Sequence, residues 1–470
     1  MNKIANGAMD LMKRSILMIK KKALVLDWIR KLARWACNFI NIAETLNSLS
    51  KNLEVLKFSV ERLEDTINTI SSSRNFNQPV RVVFLVHHAT SWLATKPVLE
   101  HLTNDIRFEV IAISLPHIKL MAASHELCGE EEIHKMLVSQ NIKHIRISEG
   151  EISHALRVVK AIKPDVIFRQ TPWPHDLPSS LDAESLSFTR ICYIPYGYMT
   201  AAIEDKQFNQ DFHQRCWKIF CPDEAHLKLA EKYCLINGIN CVVTGYPKFD
   251  YLTDKSTKKW PINYANERSN NFKLIWAPHW SFMDNWLKFG AFSQTSATIF
   301  NLAKAKTNLQ IVLRPHPVFL EYMDDAETGS EIEQFINEWN LLPNTFISRE
   351  ADYAPLFAAS DALLTDGLSF LSEYQLFDKP LIFFEREDTI GFNSAGKNLL
   401  SGLYRLQKPE QIEPLLNKLM QGEEDDSIVD ARCRVAKTIH PYPQQAASRI
   451  AEIISSEISY SMQSASYQRV

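Results

Sequence analysis

The chain contains no run of about 18 apolar residues, so no transmembrane helix is expected. Its first forty residues carry bases but also interspersed charges. They lack a clean apolar core and a small-residue cleavage site, so no signal peptide is expected. The 8 cysteines (Cys37, Cys128, Cys192, Cys216, Cys221, Cys234, Cys241 and Cys433) never fall at C-x-x-C spacing. That argues against a disulfide framework or a zinc site and fits free thiols in a reducing cytosol. Cys216 and Cys221 with His213 invite a metal reading, but Cys221 ends an apparent strand, where packing is the favoured role. No D-x-D carboxylate pair stands out for a metal, and no metal or other cofactor is expected. No nucleic-acid motif is present, so nucleic acid is not expected as a partner.

What is present is globular in class: 470 residues, 46% hydrophobic and 23% charged, enough for two or three domains. The net charge of −3 is uneven. Residues 1–40 hold nine bases and two acids, which is +7 and leaves −10 for the remainder. A basic head on an acidic body points to an anionic surface. Residues 1–24 read as a basic amphipathic helix segment, with Ile4, Ala8, Leu11, Met12 and Ile19 toward one side and Lys20-Lys21-Lys22 near its end. Such a helix suits the inner face of a membrane, so a cytoplasmic, peripheral location is expected. From Val25, apolar residues step by three and four through Trp28, Leu32, Trp35, Phe39, Ile42, Leu46, Leu49, Leu53, Leu56, Val60, Leu63 and Ile67 to Ile70. A seam this narrow predicts a coiled coil over residues 25–78, linker included, and a homo-oligomer built through it. The competing reading is one long helix folded back on the body.

After Pro79 the pattern becomes short apolar runs of strand length alternating with helical stretches. One set of strands runs from Arg81–Val86 to Cys241–Thr244, and a second set from Lys273 to Leu403–Leu406. This predicts two doubly wound domains, residues 79–255 and 256–470, with a last helix near residues 443–458 crossing back to the first. The organising stretch is residues 360–384, S-D-A-L-L-T-D-G-L-S-F-L-S-E-Y-Q-L-F-D-K-P-L-I-F-F. It reads as a strand, a turn at Gly367, a helix capped by Ser369, and a second strand. Helix starts of this kind suit a phosphate, although any parallel α/β unit has the same shape.

The wording of this stretch is more specific. It resembles the CDP-glycerol glycerophosphotransferase family, whose segment reads roughly A-D-x-L-I-T-D-Y-S-S-x-x-F-D-x-x-x-x-x-K-P-I-I-F-Y. Asp361, Thr365, Asp366, Ser369, Lys379 and Pro380 fall in register. Ile275-Trp276-Ala277-Pro278-His279-Trp280 resembles the family's A-P-T-W block, and Leu313-Arg314-Pro315-His316-Pro317 its L-R-x-H-P block, in the same order. Three departures stand out. Gly367-Leu368 replace Tyr-Ser, Glu373 replaces Asp, and no W-H-G-T motif is found; its nearest counterpart, residues 193–198, has no histidine.

The resemblance implies a GT-B architecture, a CDP-polyol donor on the C-terminal domain, and transfer of polyol phosphate to a membrane-linked glycan or polyol-phosphate acceptor. In this reading Arg314 and His316 donate to phosphate oxygens, Gly367, Ser369 and the following amides take the other phosphate, and Asp366 orients a ribose or glycerol hydroxyl or caps the turn. Glu373 reaches the ribose or stays solvated. His88 and His279, each after a strand, rank equally as the base. Two other readings remain: a GT-B glycosyltransferase using a nucleotide sugar, and a non-catalytic coiled-coil scaffold on a degenerate transferase fold.

Overall fold

The computed structural model describes residues 45–57, 60, 78–119, 126–254, 257–261, 271–282, 286–316, 318–319, 329–350 and 352–467. The chain divides into two compact units, Met1–Leu63 and Glu64–Val470. In the first, residues 45–57 are helical. Leu46, Leu49, Leu53 and Leu56 lie at alternating steps of three and four along this helix, and each is between 56% and 68% exposed. The basic helix and the seam positions before residue 45 and after residue 60 lie outside the described residues.

The second unit holds two parallel sheets. The first is built from β1 (Val80–Val86), β2 (Phe108–Ser114), β5 (His144–Arg146), β6 (Val166–Arg169), β7 (Arg190–Tyr193), β8 (Lys218–Cys221) and β9 (Cys241–Val243), in the order β5-β2-β1-β6-β7-β8-β9. A two-stranded antiparallel pair, β3 (His117–Ile118) and β4 (Leu127–Cys128), lies apart from it. The second sheet holds β10 (Phe272–Ala277), β11 (Leu309–Leu313), β12 (Thr345–Ile347), β13 (Ala362–Thr365), β14 (Leu381–Phe384) and β15 (Tyr404–Leu406), ordered β12-β11-β10-β13-β14-β15. Both follow the Rossmann order, in which the chain starts at the centre, works to one edge and then returns to the other.

The strands are legible as continuous apolar runs because helices cover both faces. Val82 to Val86, Leu309 to Leu313, Ala362 to Thr365 and Leu381 to Phe384 are buried at every position. Phe84 stacks on Phe168 at 4.6 Å between ring centroids, and Trp276 stacks on Phe292 at 5.6 Å. Such ring pairs add about 0.5–1.5 kcal/mol beyond area burial.

The strand order reverses beside β1 in the first sheet and beside β10 in the second. At those switch points the loops after β1 and β6, and after β10 and β13, diverge and leave a crevice. Several ties join the two halves. Asn393 donates from Nδ2 to the Met199 carbonyl at 3.0 Å, and Ala201 forms a β-bridge with Phe392. The last helix, Ala446–Tyr467, runs against the helix Ala89–Thr103 of the first half. Beyond that contact, Glu452 pairs with Arg107 at 2.8 Å and Glu457 with Lys218 of β8 at 2.6 Å. Among the described residues, no helix is long and apolar enough to cross a membrane.

Candidate active site

β10 and β13 are direct neighbours, so the residues after them meet. Asp366, immediately after β13, is buried and accepts backbone N–H bonds from His279 and Ala291, one on each carboxylate oxygen, at 2.5 Å each. It therefore clamps both ends of the loop that follows β10. Burial pushes its pKa up to about 7, against the pull of those amide donors. Inside the loop, Ser281 Oγ accepts N–H from Phe289 and Gly290. Gly290 is required there, since a Cβ would fall 2.6 Å from the His279 carbonyl oxygen and from the Phe282 nitrogen.

The loop fixes the tautomer of His279. Its Nδ1 accepts N–H from Ser281 at 3.2 Å and lies 2.8 Å from Ser281 Oγ, so the neutral ring carries its proton on Nε2. His316 follows the same logic, with Nδ1 accepting from the Val318 N–H at 3.3 Å. The two rings lie 5.6 Å apart. Burial holds His279 well below its usual pKa. His316 is solvent-exposed, yet the protein around it lowers its pKa to about 4 by desolvation. Near neutral pH both are therefore uncharged N–H donors. Gly367 brings the β13 loop against this pair, its Cβ position lying only 3.5 Å from His279 Cδ2.

Arg314 is more enclosed than a phosphate-facing arginine needs to be. Its Nη1 donates to Ser348 Oγ at 2.9 Å, its Nη2 donates to the Glu350 carbonyl at 2.8 Å, and the guanidinium lies 4.7 Å over the Tyr353 ring. Nε is buried with no partner. Tyr353 in turn donates to Glu373 Oε2 at 2.5 Å, and Glu373 Oε1 is 2.6 Å from Lys248 Nζ. Glu373 is fully buried, which removes the solvated reading of this carboxylate. Ser369 is exposed and occupies the first helical position of Ser369–Glu373. Leu368, already helical in φ and ψ, stands at the cap without a side-chain cap bond, so the expected serine cap does not form.

The first sheet carries a second cluster. His87 and His88 follow β1, and Gln170 follows β6. Gln170 Oε1 accepts both histidine N–H groups, at 2.7 and 2.9 Å, and its Nε2 returns a bond to the His88 carbonyl at 3.0 Å. His88 Nε2 lies 3.4 Å from Asp176 Oδ2. Burial raises the Asp176 carboxyl, but His88, Thr171 and Arg169 more than reverse this and leave it below its usual value. The His117 ring packs 4.4 Å from that of His88. Asp176, His117, Gln170, Lys248 and Tyr353 were not singled out from the sequence. The one signal available was position, since Gln170 directly follows a strand at the switch point.

Residues 198–393 match the family model described as CDP-glycerol:poly(glycerophosphate) glycerophosphotransferase, and this span contains all three motif blocks. This is a CDP-glycerol glycerophosphotransferase-like transferase. No curated protein matches the chain. Among solved structures, a variant of the wall teichoic acid polymerase TagF is similar at 13% identity and a TM-score of 0.51, over 89% of this chain and 99% of that one. The S. aureus MnaA–UDP co-structure is similar at 14% identity and a TM-score of 0.56, over 81% and 97%. The UDP-GlcNAc 2-epimerase of Neisseria meningitidis is similar at 16% identity and a TM-score of 0.51, over 80% and 99%. At these identities the likeness establishes the fold, which is the GT-B-like pair of Rossmann domains expected for this transferase.

Proposed function

We propose that this transferase moves a polyol phosphate, glycerol phosphate or a close analogue, from a CDP-activated donor to a glycan or polyol-phosphate acceptor in cell-surface polymer synthesis. The observation that carries the reading is the pairing of neutral N–H donors, His279 and His316, at the switch point of the second sheet, inside the span that matches the family. Their Nε2–H groups, the Ser369 hydroxyl and the amides after Gly367 supply hydrogen bonds to the diphosphate. Arg314 adds fixed positive charge from behind Tyr353. Asp366 holds the His279 loop in place, and Glu373 holds Tyr353.

In the reaction, an acceptor hydroxyl oxygen bonds to the phosphorus next to the polyol. The bond from that phosphorus to the bridging oxygen breaks, and CMP leaves with the electron pair. Because Nδ1 of His279 already accepts a hydrogen bond, that ring serves as a donor and not as the base. The hydroxyl proton is assigned to the His88–Asp176 pair on the first sheet, where the carboxylate orients the imidazole. The N-terminal helix and seam attach the enzyme, as an oligomer, to the inner membrane face where a lipid-linked acceptor lies.

The test is CMP release. Purified protein given CDP-glycerol or CDP-ribitol and an acceptor panel should release CMP and extend an acceptor. Binding that prefers uridine nucleotides, with no CMP release across the panel, would reject this reading in favour of a nucleotide-sugar enzyme.

A further inference from the structure

We propose that His87, His88 and Asp176 form a binding site for one divalent transition-metal ion of the zinc class. One ligand atom from each of these residues falls within 4.8 Å of the others. His88 Nε2 and Asp176 Oδ2 are separated by 3.4 Å. That is long for a hydrogen bond between nitrogen and carboxylate. It is the edge of a coordination tetrahedron, because two ligands each about 2.1 Å from a zinc ion at the tetrahedral angle stand about 3.4 Å apart.

The supporting shell is already built. The Gln170 side chain bonds three main-chain atoms of His87 and His88 and so fixes two consecutive ligands. The backbone of Asp176 is held on both sides, with its N–H donating to the Trp173 carbonyl and its carbonyl accepting from Ile118. Outer contacts of this kind orient first ligands and set metal affinity. His87 is fully buried, its Nε2 is 3.3 Å from Thr171 Oγ1, and its Nδ1 is buried without a partner. His117, packed on His88, also has an unpartnered buried Nδ1.

The composition of the site selects the ion. A single carboxylate among imidazoles suits zinc, cobalt or nickel, whereas magnesium and calcium require oxygen ligands. The buried Arg169 guanidinium, whose Nη1 donates to the Leu181 carbonyl, interacts with His87 and Asp176 and opposes every cation alike, so binding must come from the imidazole and carboxylate bonds themselves. Three protein ligands leave a fourth position, and His88 keeps 24% of its side chain exposed, so a small oxygen ligand can reach the ion. An acceptor hydroxyl bound there would lose its proton near neutral pH, with the ion replacing His88 as the agent of deprotonation. That use rests on the transfer reading; metal binding does not.

The experiment is a titration of untagged, chelator-treated full-length protein with Co2+, read by visible absorption, followed by displacement with Zn2+. One Co2+ per chain with four-coordinate bands is expected, and Zn2+ should displace it. H88Q and D176N should each weaken binding by at least about tenfold, while H316A should bind as wild type. Both variants should keep the wild-type unfolding midpoint to within a few degrees, since His88 is partly exposed and asparagine is isosteric with aspartate. Absence of saturable uptake, or uptake unchanged in both variants, overturns the site. Loss of metal binding in the variants with CMP release intact would keep the site and remove its catalytic use. Metal binding without CMP release from any CDP-polyol would reject the transfer reading alone.

Discussion

Replacing Glu373 by glutamine tests the buried ion pair that joins the two halves of the catalytic body. Lys248 lies on the helix Pro247–Thr253, after the last strand of the first sheet, and Glu373 on the short helix after β13. Nζ and Oε1 are 2.6 Å apart, with side-chain exposures of 6% and 0%. Glutamine keeps the shape and an acceptor for the Tyr353 hydroxyl but leaves the ammonium without its counter-charge. Removing one partner of a buried pair costs about 3–5 kcal/mol. Urea unfolding followed by tryptophan fluorescence measures the loss. The double variant K248M/E373Q should regain most of the loss, because neither charge is left buried. A loss below about 1 kcal/mol for E373Q, or a double variant as unstable as the two single losses summed, would refute the reasoning.

Three further outcomes are expected. R314A should lower CMP release at least about tenfold, because it removes the fixed positive charge that Ser348 and Glu350 hold behind Tyr353. R314K should recover little, because lysine cannot span Ser348 and Glu350 together, and unchanged kinetics in R314A with intact folding would remove the assignment. Binding of a nucleoside diphosphate should raise the low pKa of His316, so protons are taken up on binding and affinity rises as pH falls. Calorimetry in buffers of different ionisation heat should show more uptake at about pH 6 than at about pH 8, and equal heats in all buffers would refute the pairing of His316 with phosphate. Changing Leu49 and Leu56 together to aspartate should give monomers by light scattering with the catalytic body still folded, since both leucines are exposed along the helix of residues 45–57. A wild-type protein that is monomeric at micromolar concentration would refute the coiled coil.

Much of the fold could be read from the sequence because buried parallel strands have no solvent face. Runs such as Ala362 to Leu364 are apolar at every position and end at Thr365-Asp366-Gly367, and the residues after them lie at the switch point by topology. The site was less legible wherever a partner is distant in the chain. Glu373 looked like a helix-surface carboxylate because its counter-ion, Lys248, is supplied by the other half of the body. Asp176 reaches His88 from an irregular loop, P-W-P-H-D-L-P, which carries neither periodicity nor motif. Gln170 acts through backbone atoms, and no side-chain pattern can announce such a role. The Ser369 cap failed for a local reason. Leu368 already has helical φ and ψ, which leaves the serine one position inside the helix.

One departure from the family pattern, Gly367 for tyrosine, meets a second difference, His279 within the A-P-T-W-like block, in one piece of geometry. The chain reads A-P-H-W where the family has A-P-T-W, and T-D-G-L where the family has T-D-Y-S. These segments end β10 and β13, which pair directly, with Ala277 opposite Thr365. The Cβ of any residue at position 367 would stand 3.5 Å from His279 Cδ2 and 3.3 Å from Thr365 Oγ1. A methyl group is tight against the Thr365 hydroxyl there and meets the imidazole edge at ordinary contact distance. Gly367 has no positive φ to require it, so these close neighbours are what a glycine eases at this position. The imidazole that lies against Gly367 comes from after β10, with its tautomer fixed by Ser281. The clamp from Asp366 to the His279 amide holds that ring in place.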